Sequence, residues 1–176
     1  MKYAQWEAER RFLLASSPAA GVGWAAAGFG PAAQLHDRYL RDTRLRLRRV
    51  LRPGQPPQYK LGQKIPGLGS DAWPPAVAHT SLYLDAAEYD LLATLPADDL
   101  TKTRTLIGDG PALAVDIFTG RLTGLVLAEY ELDSADEPDL SKLPVLAEVT
   151  DDARFTGGAL ARTSAAELTQ LLATYH

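Results

Sequence analysis

Two carboxylates and a guanidinium fall on alternate residues near the N-terminus: Glu7, Glu9 and Arg11, within WEAERRFLL (6–14). Strand side chains alternate faces with period two, so these three share a face with Leu13, while Trp6, Ala8, Arg10, Phe12 and Leu14 share the other. Two like charges at that spacing repel unless a cation lies between them, and a divalent metal held by hard carboxylate oxygens is such a cation. Taken alone, the run also reads as a surface strand with a solvated face. The pattern recurs, however. In TRLRLRRVL (43–51), Arg44, Arg46 and Arg48 share a face; in YKLGQKI (59–65), Lys60, Gly62 and Lys64 do so. LTKTRTLI (100–107) aligns Lys102, Arg104 and Leu106, and LTGLVLAEYEL (122–132) aligns Leu127, Glu129 and Glu131. Guanidinium is a rigid fork that matches phosphate oxygens. Strands bearing acids at both ends of the chain, with strands bearing bases between them, suit a polyanion and a metal on one surface.

The elements that must carry these residues follow from alternation and punctuation. Strands are expected at 6–14, 34–40, 43–51, 59–65, 77–84, 100–107, 112–118 and 122–132, with a short one at 145–150. Turns are expected at Arg41-Asp42, Gly108-Asp109-Gly110 and Thr119-Gly120-Arg121. The Ala/Gly/Ser/Pro-rich stretch 15–33 reads as a loop; it lacks the order of a P-loop. Asp85 is a candidate N-cap for a helix turning Leu91, Leu92 and Leu95 toward a core, ended by Pro96. Thr163 is a candidate cap for a C-terminal helix with Leu168, Leu171 and Leu172 on one side. About eight meandering strands with polar and apolar faces suit a barrel with a polar lumen, or an open sheet with one solvated face.

Composition narrows the class. The chain has 176 residues, 46% hydrophobic and 23% charged, enough for one domain with a sizeable core. No apolar run approaches the roughly 20 residues of a membrane span, and the N-terminus has no hydrophobic signal core. With no cysteine, disulfides and thiolate chemistry are excluded, which fits a cytoplasmic protein. His36, His79 and His176 lack metal-site spacing. A net charge of −4 argues against a general nucleic-acid binder. Nothing points to a membrane partner, and the oligomeric state, including a homodimer, stays open.

Beyond alternation, EAERRFLL (7–14) is similar to the ExExK signature of the CYTH superfamily, the triphosphate tunnel metalloenzymes. RLRLRR (44–49), YKLGQK (59–64), TKTR (101–104), VDIF (115–118), LAEYEL (127–132) and EVTDDARF (148–155) follow in that family's order. The resemblance covers nearly the whole chain and implies a single CYTH-like domain, residues 1–176. It implies a mainly β fold: an eight-stranded antiparallel β-barrel, the tunnel, with a few flanking helices. It also implies that Glu7, Glu9, Glu129 and Glu131 hold Mg2+ or Mn2+ and carry catalysis. Arg11, at the lysine position of the motif, and Arg46, Arg48, Lys60, Lys102 and Arg104 would bind a triphosphate-containing small molecule. Two departures stand out. Arg11 gives a fork where the motif has a point charge. The strand HTSLYL (79–84) lacks the second acidic pair that many small bacterial members carry, a gap that Asp116 fills only in part.

The expected function is metal-dependent hydrolysis of inorganic tripolyphosphate or a small organic triphosphate. Two alternatives share the scaffold, since fold does not fix function: an adenylate cyclase, for which the sequence offers no assignable base pocket, and a non-catalytic triphosphate- or polyphosphate-binding module, favoured by the missing acidic pair.

Overall fold

Where charged and apolar residues alternate, the chain forms strands. The computed structural model describes residues 4–15, 31–67, 74, 76–107, 113–132 and 139–175. Ten strands run in chain order: β1 Gln5–Glu7, β2 Glu9–Leu14, β3 Ala33–Leu40, β4 Leu45–Leu51, β5 Gln58–Pro66, β6 Val77–Leu84, β7 Ala97–Ile107, β8 Leu113–Phe118, β9 Val126–Glu131 and β10 Val145–Glu148. All pair antiparallel, in the order β1-β6-β5-β4-β3-β7-β8-β9-β2-β10.

The sheet closes through its own first strand. β1 and β2 are one run broken at Ala8. Its first part pairs with β6 (Gln5 opposite His79, Glu7 opposite Val77), and its second with β9 (Glu9 opposite Glu131 through Leu13 opposite Leu127). The two ends of the sheet are thus joined by the peptide chain, and eight neighbours form the barrel. β10 covers the edge of β2 that β6 does not reach, from Val145 opposite Leu14 to Glu148 opposite Phe12.

Alternation then sorts the side chains. The inner face receives Arg11, Asp37, Tyr39, Arg46, Arg48, Lys60, Lys64, His79, Lys102, Arg104, Asp116 and Glu129, which the register places on shared rows. At one end the inner face turns apolar. Leu13, Leu100, Phe118 and Leu127 pack there against Phe155, Leu160, Leu168 and Leu171 of the C-terminal segment. That segment holds two helices, α2 Gly157–Leu160 and α3 Ala165–Leu172, so the helices stopper the barrel. Arg121 ties them down by donating to the carbonyls of Leu160, Ala161 and Thr163. On the outer wall, Phe12, Leu14, Val115, Val126, Ala128 and Tyr130 form a second cluster with Leu143.

Local differences from the sequence expectations have physical causes. The first helix in the described chain, α1 Ala86–Leu92, has the expected Asp85 cap, completed by Glu88 as a capping box. It turns Tyr89 inward, not its leucines: Leu91 is 71% exposed. The helix has only two turns, and its partner on β5 is the ring of Tyr59, whose centroid lies 4.5 Å from that of Tyr89. The last helix is capped by Ser164, which forms a capping box with Glu167; Thr163 instead donates its hydroxyl to the Ala159 carbonyl. The long strand expected from residue 122 starts at Val126, because a 3-10 turn at Gly120–Leu122 and a positive φ at Gly124 bend the chain first. The Arg41-Asp42 turn is present, with Asp42 in the left-handed region that Asp tolerates. The Gly108-Asp109-Gly110 turn and most of the 15–33 loop lie outside the described residues.

Gly157 shows how closely the stopper fits. A Cβ at this position would overlap the Tyr39 hydroxyl and ring. Gly157→Ala is therefore expected to cost about 1–3 kcal/mol by overpacking. In that background Tyr39→Phe, which removes the overlapping oxygen, should recover part of the loss in denaturant unfolding. No loss in the single variant would mean that the helix does not seat on Tyr39.

Candidate functional site

The lumen is built from ion pairs, most of which join different strands. On β3, Asp37 is 1% exposed and accepts a two-pronged bond from Arg48 of β4, 2.5 Å from Nε and 2.6 Å from Nη2. On β8, Asp116 is fully buried and accepts from Arg104 of β7, 2.7 Å from Nε and 2.6 Å from Nη2, and from the Lys102 ammonium. Arg104 reaches on to Glu129 at 2.9 Å. Glu129 also accepts from Arg11 Nε at 2.8 Å, and Arg11 Nη2 bonds Glu9 at 2.5 Å. Lys64 lies 3.3 Å from both Glu7 and Glu9, and Glu7 accepts a bond at 2.5 Å from His79 Nδ1. A continuous charge network thus runs from β8 round to β6 through the N-terminal strand.

Proton affinities follow this wiring. Burial pushes Asp37 up, but the charge and hydrogen bonds of Arg48, with Arg46 and Lys102 nearby, outweigh it and hold the carboxyl far below its ordinary range. Glu129 is likewise held low, against burial, by Lys102, Arg104 and Arg11. Glu7 is lowered against burial by His79 and Lys64. Lys102 is lowered, chiefly by burial, which the Asp116 charge opposes.

Two features of the wall suit an anion. Arg46 Nε is buried and has no hydrogen-bond partner among the described residues. Opposite Arg46 on β5 is Gly62, where a Cβ would lie 3.4 Å from His79 Nε2 and 3.7 Å from Arg46 Nη2. Glycine here keeps open a gap faced by a guanidinium and an imidazole.

The expected site residues are placed as follows. Arg11, Arg46, Arg48, Lys102 and Arg104 are brought together on the inner face. Glu9, Glu129 and Glu131 line one cavity of about 260 Å3 with Arg104 and Leu106. Glu7 stands off that cavity, tied to His79 and Lys64. Lys60 shares the inner face but lies toward its exposed end, with its ammonium 4.8 Å from the Tyr83 ring centroid. Arg44 precedes β4 and is exposed. Among the described residues, no three His, Cys, Asp or Glu side chains are gathered as a metal cage, because Glu9 and Glu129 are drawn to Arg11. The chemistry of the set still fits a hard divalent cation: Glu9, Glu129 and Glu131 are oxygen donors on one cavity wall. Sequence reasoning missed the role of Asp37. Its signal was a single acid alternating with Leu35 and Tyr39 on an otherwise amphipathic strand.

A closed antiparallel barrel with a charged lumen and one end stoppered by helices is the architecture that the family resemblance implies, and solved structures share this fold. Two crystal structures of NE1496, one described as a hypothetical protein and one as an inorganic triphosphatase, both match at a TM-score of 0.54. They are 24% and 23% identical, covering 90% and 89% of this chain and 99% and 95% of theirs. PH1819 from Pyrococcus horikoshii OT3 matches at a TM-score of 0.52 with 18% identity, over 75% of this chain and 81% of that one. No protein-family model matches the sequence, and no curated protein matches it significantly.

The pairing makes acid the weak point of the fold. Asp37 and Glu129 have folded-state values below the unfolded values of about 4, so their stabilisation is full above that range and is lost as pH falls through it. The thermal midpoint should drop as pH is lowered from about 5 to 3, less steeply in Asp37→Asn. Arg48→Met strands Asp37 as a buried charge and should cost about 3–5 kcal/mol. Adding Asp37→Asn should return part of that cost, and denaturant midpoints of the single and double variants decide it.

Proposed function

We propose that the tunnel binds the phosphate chain of a triphosphate-containing small molecule and hydrolyses it with a divalent metal, Mg2+ or Mn2+. The observation that carries this reading is the buried, unpartnered Arg46 Nε beside the Gly62 gap, on a wall where the neighbouring cations are already held in position. A buried guanidinium atom without an acceptor is costly, and a phosphate oxygen would satisfy it.

Arg46, Arg48, Lys102 and Arg104 would receive the phosphates. Asp37 and Asp116 hold three of these four cations from behind, so their orientation is set before the anion arrives. Such preorganisation is the main way in which a site stabilises charge that shifts during phosphoryl transfer. Arg11 and Lys64 spend their charge on Glu9, Glu129 and Glu7, and an incoming anion competes for them. Glu9, Glu129 and Glu131 would hold the metal, with Glu7 joined to that acidic side through Lys64. When bound, the metal would neutralise charge on the phosphoryl oxygens. A carboxylate of the same group that is not spent on the metal could orient the attacking water, which is mostly a matter of placement.

The test is phosphate release from tripolyphosphate and from ATP with Mg2+, with Mn2+ and with EDTA. Release should require the metal and be abolished by Glu7→Gln and by Glu9→Gln, with circular dichroism unchanged. Full activity in both variants would refute the assignment of the acidic side. Pyrophosphate and a cyclic nucleotide, in place of phosphate, would make the protein a cyclase. Ligand-dependent thermal stabilisation without turnover would make it a binder.

A further inference from the structure

The outer wall of β3, β4 and β7 carries two short rows of directly opposed residues. Arg49 of β4 stands opposite His36 of β3, which stands opposite Thr101 of β7. Leu51, Gln34 and Thr103 form the next row on the same strands. Each member of the first row is next in sequence to a tunnel residue, Arg48, Asp37 or Lys102, so alternation turns it away from the tunnel. The second row lies two residues further along each strand and shares that outward side. Together the rows span about 10 Å across the strands and about 7 Å along them. They line a cavity of about 460 Å3.

Arg49 sets the chemistry of this cavity. It is half-buried, its Nε is shut off from water without a hydrogen-bond partner, and among the described residues its guanidinium meets no carboxylate. The register explains why: the residues opposite it are His36 and Tyr59, and neither is an acid. Asp99, two residues along β7 from Thr101, is already engaged. It accepts from Arg38 Nε at 2.9 Å and lies 3.1 Å from His36 Nε2. A cation held partly out of water without a counter-ion is costly. Beside it, the Gln34 amide and the Thr103 hydroxyl have no hydrogen bond among the described residues. The Thr101 hydroxyl lies 2.7 Å from that of Thr119, which also lines the cavity.

We infer that this outer cavity is a second anion site, separate from the tunnel, and that it takes a phosphate group, either free orthophosphate or a small phosphomonoester. Arg49 supplies the charge, and Gln34, Thr101 and Thr103 supply neutral donors. A carboxylate offers two oxygens in one plane. Donors spread over two rows and three strands suit the tetrahedral oxygens of a phosphate better, and the guanidinium gives it a charge-assisted bond. The cavity is of the size that holds a small organic ligand, and Leu51 gives a substituent on the phosphate an apolar wall.

Titration of the 15N-labelled full chain with orthophosphate and with glycerol phosphate tests this by NMR. The signals to follow are the Gln34 side-chain amide and the Arg49 Nε–H, assigned by their loss in Gln34→Leu and Arg49→Gln. Both should shift and saturate at millimolar ligand. Arg49→Gln, followed at the Gln34 amide, should weaken binding at least about tenfold, as loss of a charge-assisted bond implies. Thr103→Val should weaken it by less, with the dispersion of the spectrum unchanged. Arg46→Met, which alters the tunnel, should leave this binding as in wild type. Tighter binding of glycerol phosphate assigns the site to phosphomonoesters; equal binding assigns it to free phosphate. No saturable shift at Gln34, or a shift that survives Arg49→Gln and vanishes in Arg46→Met, overturns the outer site and leaves the tunnel reading untouched.

Discussion

The lumen can exist only because two carboxylates are buried beneath its cations. Seven cationic side chains, Arg11, Arg46, Arg48, Lys60, Lys64, Lys102 and Arg104, share one interior. Taking such charges out of water costs several kcal/mol apiece unless each is paired and hydrogen-bonded. Asp37 and Asp116, at 1% and 0% exposure, supply that pairing at the floor, where water cannot. Each is gripped by the two-pronged fork of an arginine, a geometry that lysine cannot reproduce. With Glu7, Glu9, Glu129 and Glu131 nearer the mouth, the acids almost balance the bases. The tunnel is thus a set of pairs rather than a bare positive hole. Any polyanion would have to exchange partners with these pairs, and those best placed to yield are the pairs of Arg11 and Lys64, whose carboxylates lie toward the cavity.

The stopper at the far end makes this arrangement effective. Leu13, Leu100, Phe118 and Leu127 make the base apolar, and Leu160 of α2 with Leu168 and Leu171 of α3 packs over them. An interior closed to water on one side has a lower effective dielectric, so every ion pair inside it counts for more, favourable or not. That is why Gly157 must lack a side chain and why Arg121 spends its guanidinium on three helix-end carbonyls: a stopper that lifted would admit water to the pairs it shields.

Alternation was legible in the sequence because it depends only on the period of a strand. It put Glu7, Glu9 and Arg11 on one face, as it did Arg46 with Arg48, Lys102 with Arg104 and Glu129 with Glu131, and the structure keeps those faces. Partnership was less legible. Asp37 meets Arg48 across a hairpin, 11 positions along the chain, but the turn alone does not say which residues stand opposite. Glu129 meets Arg11 across 118 positions, a register between distant segments that leaves no trace in local pattern. The break at Ala8 was invisible for the same reason: only the two different neighbours of β1 and β2 reveal it. The misoriented leucines of α1 have a different cause, since a two-turn helix obeys whichever surface it lands on, here the ring of Tyr59.

The strand that lacks its acidic pair is the place where this chain's own choices concentrate. β6 presents His79, Ser81 and Tyr83 to the inner face, a neutral-to-basic set. His79 takes Glu7 as its partner, with Ser81 Oγ 3.2 Å from its other nitrogen, so one acid of the first strand is engaged by β6. Two more carboxylates on β6 would have offset its neighbouring cations. Without them, and with Gly62 opening the gap toward Arg46, the wall between β4 and β6 keeps its positive character. The acidic work then falls to the opposite wall, where β2 and β9 set Glu9 across from Glu131 and Arg11 across from Glu129. The barrel is in this way divided into a side richer in cations and a side richer in carboxylates, and the chain that joins them is the N-terminal strand, which contacts both.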